Sequence, residues 1–175
     1  QIWLANSYGM TVIVTDHHEV PYEEQNGERI YRLPEAVAVI DPKQEDCPYP
    51  YKQICGAVVA YKLIQYLLRE AQNSGWIGQN GEPVSRGTSQ ELLQELLSFT
   101  ALATICDVME LRDENRILVR EGLKEMSKTT NYGLKALLQV NDLYGKPLSP
   151  YHAGFVIGPC LNATGRLDTA KRALE

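Results

Sequence analysis

The hydrophobic pattern at the start of the chain predicts a buried strand that ends in polar side chains. Residues 2–5 are apolar and precede Gly9, which indicates a short helix ending near that glycine. Residues 12–15 then form a β-branched run, Val-Ile-Val-Thr, that is typical of a strand buried on both faces of a parallel sheet. The run leads directly into Asp16-His17-His18. These side chains are candidate functional residues, because ligands bind just beyond the carboxyl ends of parallel strands.

A second apolar run supplies a neighbour for this strand. Residues 36–40 read Ala-Val-Ala-Val-Ile and end at Asp41, again an acidic residue at a strand exit. Between the two runs, Asn26-Gly27 within residues 21–32 predicts a hairpin with a type I′ turn. The predicted fold class is therefore α/β, with a parallel sheet and flanking helices.

Helical periodicity dominates the remainder of the chain. Gly56 lies inside the first predicted helix, where it lowers stability relative to alanine and therefore indicates close packing. We expect the second helix to be largely buried and to open with the capping box Thr88-x-x-Glu91. Residues 72–87 and 141–150 are predicted to be an exposed loop and a link. The predicted helices cover residues 51–70, 88–105, 115–126 and 132–140.

Composition indicates an ordinary globular protein. The 175 residues are 44% hydrophobic and 22% charged, enough for one well-buried domain and the start of a second. We place the first domain at residues 1–140 and the start of the second at 141–175. No apolar run reaches membrane-spanning length. The net charge of -5 does not favour a nucleic-acid binder, although an acidic protein can still carry a locally basic groove.

The cysteine pattern predicts a reducing cellular compartment. The four cysteines are far apart and form no C-x-x-C pair, so we expect reduced and mostly buried thiols in a cytoplasmic protein. They are Cys47, Cys55, Cys106 and Cys160.

Two stretches carry candidate chemistry. Neutral imidazoles beside a carboxylate, as in Asp16-His17-His18, suit a transition metal, and the alternative is a polar strand exit that only caps backbone groups. Residues 154–167 place Asn162 and Arg166 among small residues, which suits a phosphate; the alternative is a tight turn with a surface arginine. Asp107 lies at the end of the apolar second helix. It is either a solvent-facing residue that ends the helix or a ligand held at a buried helix end, and the residues alone favour the solvent-facing interpretation.

Together these motifs resemble the DHH phosphoesterase superfamily and, within it, the RecJ-type single-stranded-DNA exonucleases. The Asp16-His17-His18 triplet marks the superfamily, and Asn162-Ala163-x-Gly165-Arg166-Leu167 points to the RecJ branch. The resemblance also includes residues 12–19, 33–42, 49–52, 55–56, 59–63, 103–108 and 158–167, so it spans nearly the whole chain.

The resemblance implies a role for each candidate residue. His17 and Asp107 would be ligands of divalent metal, usually Mn²⁺ and alternatively Mg²⁺, with two ions in the complete site; for Asp107 this replaces the solvent-facing interpretation. His18 would contact the scissile phosphate and Asp16 would orient the histidines. The residues expected to hold phosphates of the DNA strand are Asn162, Gly165 and Arg166.

The function implied is metal-dependent hydrolysis of single-stranded DNA, 5′-to-3′, in DNA repair and recombination, with other DNA-repair proteins as partners. Two features depart from the family pattern. The family's earlier acidic motifs would precede Gln1, so we expect the 175 residues alone to be inactive and to bind manganese weakly. Cys160 also occupies a position where a basic residue is common in the family.

Two alternatives remain open. One is another DHH enzyme acting on small nucleotides or oligoribonucleotides, such as an oligoribonuclease, a cyclic-dinucleotide phosphodiesterase or an inorganic pyrophosphatase. The other is a DHH domain retained as a non-catalytic scaffold.

Overall fold

The computed structural model describes residues 1–78 and 81–167, and side chains 1–78 and 81–163. The chain divides into two compact units, Gln1–Ala60 and Tyr61–Glu175. The predicted domain boundary after residue 140 stays a prediction. The elements, in chain order, are α1 (Ile2–Ser7), β1 (Ile13–Thr15), β2 (Tyr22–Gln25), β3 (Glu28–Tyr31), β4 (Ala38–Ile40), α2 (Gly56–Asn73), α3 (Arg86–Cys106), α4 (Asp113–Ser127), α5 (Tyr132–Val140), a π-helix (His152–Ile157) and α6 (Gly158–Leu167).

The two predicted strands pair in parallel, which confirms the α/β class. β1 lies beside β4 with Val14 opposite Val39, and the Asp16 N–H extends the ladder by donating to Ile40 O at 3.0 Å. The expectation that β1 is buried on both faces is wrong for Ile13, which is 56% exposed. The reason is that helices bury the faces of a parallel sheet, and among the described residues no helix packs extensively on β1 or β4.

The predicted hairpin is also confirmed. β2 and β3 pair antiparallel, with Tyr22 opposite Tyr31. Asn26 and Gly27 connect them with φ angles of 55° and 83°, the left-handed pair that a type I′ turn requires.

Several helix boundaries differ from the prediction, most clearly at the starts of α2 and α3. α2 begins at Gly56 and not at residue 51, because the Cys55 carbonyl accepts the N–H groups of Val58 (2.9 Å) and Val59 (3.2 Å) and so starts the helix. α3 begins at Arg86, where the Ser85 hydroxyl accepts the Thr88 N–H at 3.1 Å, so the predicted Thr88 capping box is wrong. The loop between α2 and α3 is therefore shorter than the predicted 72–87, because α2 extends to Asn73 and α3 begins at Arg86.

The buried face of α3 is made of small and hydroxyl side chains. The expectation of a largely buried apolar helix is wrong, since Leu92 and Phe99 are 40% and 38% exposed. Thr100 and Thr104 donate their hydroxyls to carbonyls one turn earlier, at 2.9 and 2.7 Å, so their burial leaves no unmet hydroxyl donor. The buried positions are Ser89, Ser98, Thr100, Ala101, Leu102 and Thr104.

This small-residue face lets α4 approach closely. A Cβ on Gly122 of α4 would lie 2.4 Å from Leu97 O and 2.5 Å from Ala101 Cβ, so the two helices meet almost backbone to backbone. The core of the second unit then extends over α3, α4, α5 and the π-helix. Its buried members are Ala101, Leu102, Val119, Leu123, Met126, Leu134, Leu138, Ala153 and Ile157.

The C-terminal small-residue stretch is helical. The π-helix runs directly into α6, which excludes the tight-turn alternative for residues 154–167. Gly158 packs closely against α3, since a Cβ at this position would lie 2.6 Å from Cys106 Sγ.

Two further expectations concern the thiols and the membrane. The four cysteines form no disulfide, but Cys106 and Cys160 are exposed, so the expectation of mostly buried thiols is wrong for these two. Both lie at helix surfaces next to the small residues of the C-terminal stretch. Within residues 1–78 and 81–167, none of the helices combines the length and hydropathy needed to cross a membrane.

Candidate metal centre

The carboxylate of Asp16 organises the segment that follows β1. Its Oδ1 accepts the backbone N–H groups of His17 at 2.7 Å and His18 at 3.3 Å, and it also lies 2.7 Å from Nδ1 of the His18 ring. The hydrogen bond from His18 and the two backbone N–H groups hold the pKa of Asp16 below its ordinary value, and partial burial opposes them. Asp16 is therefore ionised and fixes the conformation of both histidines.

This contact defines the protonation of His18. Because an ionised carboxylate can only accept, Nδ1 of His18 donates the proton and the lone pair of the neutral ring lies on Nε2. The rings of His17 and His18 are 4.4 Å apart between centroids, tilted by 45°. Asp16, His17 and His18 each offer a ligand atom within 4.8 Å of the others. This set of imidazole nitrogens and a carboxylate oxygen fits a divalent transition ion such as manganese.

The exit of β4 contributes a buried carboxylate beside this segment. Asp41 is 5% exposed and accepts the Lys43 N–H at 2.8 Å, so it closes the turn that follows β4. Lys43 pairs in turn with Glu19, the residue after His18. The sequence predicts the location of Asp41, because neighbouring parallel strands end at the same sheet edge. Lys43 is identified only by its contact with Glu19.

Gly56 supports His17 from the first residue of α2. A Cβ at this position would lie 3.3 Å from Cδ2 and 3.8 Å from Nε2 of the His17 ring. The close packing expected of Gly56 is thus confirmed, and its neighbour is the candidate metal ligand. Periodicity could not identify that neighbour, because His17 is distant from Gly56 in the chain.

Gly56→Ala should therefore weaken metal binding without unfolding the protein. The added methyl group forces the His17 ring to shift by a few tenths of an ångström, and disturbing the support of a metal ligand typically costs about tenfold in affinity or activity. The measurement is manganese titration of the natural full-length protein. Gly133→Ala is the matched control, because its Cβ would lie 3.7 Å from the nearest atom and leaves His17 untouched. Equal affinities for the two variants would contradict the supporting role of Gly56.

Asp107 occupies the C-cap position of α3, in the second unit. It is exposed, and its N–H donates to Ala103 O at 2.9 Å. Asp107 and Asn162 line one cavity of about 640 Å³, together with Ala103, Cys106, Gly154, Gly158, Pro159 and Ala163. Burial raises the pKa of the Cys106 thiol, so at neutral pH this wall of the cavity is uncharged. The cavity thus presents a carboxylate and an amide between small residues.

The structure groups the predicted site residues in two sets. Asp16, His17 and His18 cluster in the first unit, and Asp107 lies with Asn162 in the second. Gly165 and Arg166 belong to α6, but their side-chain positions lie outside the described residues.

Comparisons with known proteins identify the family. The DHH family, N-terminal domain, matches residues 1–104. The chain belongs to the DHH family. It is also 37% identical over 172 residues to the single-stranded-DNA-specific exonuclease RecJ of Dickeya dadantii (strain 3937), covering 98% of this chain and 27% of that protein. The corresponding protein of Bacillus subtilis (strain 168) is 34% identical over 172 residues, 98% of this chain and 18% of its own length.

A solved structure has the same fold. A crystal structure of exonuclease RecJ bound to manganese matches 98% of this chain and 36% of its own, with a TM-score of 0.69 and 28% identity. The chain therefore spans a minor part of the proteins that it matches. The predicted membership of the DHH superfamily and its RecJ branch is confirmed.

Proposed function

We propose that the protein is part of a metal-dependent exonuclease that hydrolyses phosphodiester bonds of single-stranded DNA from the 5′ end. The observation that supports this most strongly is the similarity to RecJ exonucleases over 98% of the chain, because it includes the Asp16-His17-His18 donor cluster. We place the protein in the cytoplasm, in DNA repair and recombination, with single-stranded DNA and other DNA-repair proteins as its partners.

On the resemblance to the DHH family, we propose His17 and Asp107 as metal ligands; His17 belongs to the donor cluster of the first unit. Two bound Mn²⁺ or Mg²⁺ ions would supply an activated water and stabilise the oxygens of an in-line displacement. The manganese in the related RecJ structure supports this assignment for the present chain. Asp16 keeps the His17 and His18 main chain in place through its Oδ1, as its three short contacts indicate.

His18 would position the substrate. Its Nδ1 proton is held by Asp16, which leaves Nε2 as the ring atom directed to another group. A proton on Nε2 would let this atom donate to an oxygen of the scissile phosphate, so His18 is assigned to that phosphate.

Asn162, Gly165 and Arg166 would hold phosphates further along the strand. The amide of Asn162 donates hydrogen bonds, the missing side chain of Gly165 allows a phosphate to approach the backbone, and a guanidinium binds phosphate in a two-pronged geometry. The location of Asn162 in the cavity with Asp107 supports a common substrate path in this unit.

Arg166→Ala should flatten the salt dependence of DNA binding. Each phosphate contact contributes about 0.7 to the slope of log affinity against log salt for a single strand, so the slope should fall by roughly that amount for every base sequence. The measurement is fluorescence anisotropy over a salt series with the natural full-length protein. Arg112→Ala is the control, because Arg112 is an exposed arginine that pairs with Glu110 at 3.5 Å. An unchanged slope in Arg166→Ala would rule out a phosphate contact.

The substrate class is tested by comparing DNA forms. With manganese, the natural full-length protein should release nucleotides from long single strands much faster than from blunt duplex or from dinucleotides. Preference for dinucleotides would support the small-nucleotide phosphodiesterase instead. No hydrolysis of any of the three would support the scaffold.

A further inference from the structure

Two exposed aromatic rings form a stacked pair at the start of the π-helix. Tyr151 is 63% exposed and Phe155 is 74% exposed, and their ring centroids lie 5.3 Å apart with planes tilted by only 22°. Burial usually repays the cost of ordering such rings, so an ordered aromatic surface that faces solvent is a candidate contact surface. We call Tyr151 and Phe155 the aromatic pair.

The π-helix explains why the two rings stack. In an α-helix, residue i+4 lies about 40° further round the axis than residue i. Tyr151 and Phe155 are likewise four residues apart across the π-helix, so both rings lie on one side of it and stack. Single π turns occur frequently at functional sites, so this π-helix also favours a functional role for the aromatic pair.

The aromatic pair is rigidly supported. Ala153 and Ile157, on the same π-helix, are 1% and 0% exposed and belong to the core. The start of the π-helix is held as well, because the Ser149 N–H donates to Nδ1 of His152 at 3.0 Å. A ligand that contacts the rings would therefore meet a surface that is already ordered.

The aromatic pair lies on the same helical segment as residues that line the cavity containing Asp107. Gly154 and Gly158, which flank Phe155 in the chain, both line that cavity together with Asn162. The same short helical segment thus presents flat apolar rings and borders a recess in which the Asn162 amide can donate to a phosphate oxygen, whereas the Asp107 carboxylate would face a phosphate only across a bound cation. A strand that alternates apolar bases with charged phosphates has both kinds of group at short spacing.

We propose that Phe155, supported by Tyr151, is a stacking platform for one unpaired base of the DNA strand. This inference rests on the proposed function and deepens it. A base in a duplex has both faces covered by its neighbours, whereas an unpaired base can place one face on an aromatic ring. The aromatic pair would therefore be a determinant of single-strand selectivity that depends neither on the metal nor on phosphate charge.

The first test compares binding by aromatic variants. Phe155→Ala in the natural full-length protein should bind a nuclease-resistant phosphorothioate single strand roughly tenfold more weakly, because stacking one base on an aromatic ring contributes about that much. The slope of affinity against salt should not change, since no phosphate contact is lost. Tyr132→Ala is the matched control, because Tyr132 is 91% exposed on α5, and it should bind as the unsubstituted protein does. Phe155→Trp should retain affinity, which separates lost stacking from lost folding.

A second test locates the base. In a series of strands that each carry one abasic position, one position should cost the unsubstituted protein roughly tenfold in affinity. The same position should cost Phe155→Ala almost nothing, because the partner ring is already missing. Independent, additive losses would overturn the stacking contact.

The outcomes separate this inference from the proposed function. If the unsubstituted protein does not bind single strands, the proposed function fails and the inference fails with it. If it binds them and Phe155→Ala binds equally well, only the inference is wrong. Self-association that disappears in Phe155→Ala while DNA affinity is unchanged would assign the aromatic pair to a second copy of the chain and overturn the base contact.

Discussion

His17→Ala should reduce manganese-dependent hydrolysis of single-stranded DNA by more than about a hundredfold while the fold is retained. Loss of a group that merely supports a metal ligand costs roughly 10- to 100-fold, so loss of the ligand itself should cost more. The fold should survive because His17 is half-buried at a strand exit and is not part of the hydrophobic core. The measurement is initial rate in the natural full-length protein at saturating manganese, with circular dichroism as the check on folding.

Asp107→Asn should have a comparable effect on the rate. The amide keeps the shape of the carboxylate but removes its charge, so an anionic metal ligand is replaced by a weaker neutral one without a packing change. Asp142→Asn is the control, because Asp142 is an exposed carboxylate that pairs with Lys146 at 2.6 Å. A rate for Asp107→Asn within a few-fold of that of Asp142→Asn would remove Asp107 from the metal centre.

The second large effect is on stability and is expected at the contact between α3 and α4. Gly122→Ala places a methyl group 2.4 Å from the Leu97 carbonyl oxygen and 2.5 Å from Ala101 Cβ. Neither neighbour can rotate away, so the helices must separate, and overpacking of this kind costs about 3 kcal/mol, the upper end of the usual range. Urea unfolding measures this as a lower midpoint.

The same substitution elsewhere should not destabilise. A Cβ on Gly87, in the first turn of α3, would lie 3.9 Å from the Ser85 hydroxyl oxygen, an ordinary van der Waals contact. Gly87→Ala should leave stability unchanged or raise it by up to about 1 kcal/mol, because alanine is the better helix former. If Gly122→Ala unfolds at the same urea concentration as Gly87→Ala, the close approach of α3 and α4 is wrong.

Local patterns were sufficient to predict the main elements of the fold. The β-branched run before Asp16 and the similar run before Asp41 predict two strands, and these do pair in parallel. Asn26-Gly27 predicts the hairpin because few other residue pairs adopt two successive left-handed conformations. Each of these signals is formed by residues that are adjacent in the chain.

The predictions for α3 are wrong where a specific contact, and not the local pattern, decides the structure. Ser85 and Thr88 are both good capping residues three positions apart, and only the hydrogen bond from Thr88 N–H to Ser85 shows which one starts α3. Likewise, the buried small residues of α3 are explained by Gly122 of α4, a partner that periodicity within α3 cannot reveal.

The candidate site likewise has features that the sequence predicts and contacts that it does not. Asp16, His17 and His18 are adjacent in the chain, so their clustering could be predicted from sequence. The contact of Gly56 with His17 and the pairing of Lys43 with Glu19 join residues more than twenty positions apart. These contacts are visible only in the folded chain.

The most direct test of the account is whether His17 binds the metal. Pulsed electron paramagnetic resonance of Mn²⁺ bound to the natural full-length protein detects coupling to a directly bound imidazole nitrogen. We expect this coupling in the unsubstituted protein and in His152→Ala, because His152 is not a member of the donor cluster and its Nδ1 accepts the Ser149 N–H. It should be absent in His17→Ala. Nitrogen coupling that persists unchanged in His17→Ala would contradict the assignment of His17 as a metal ligand.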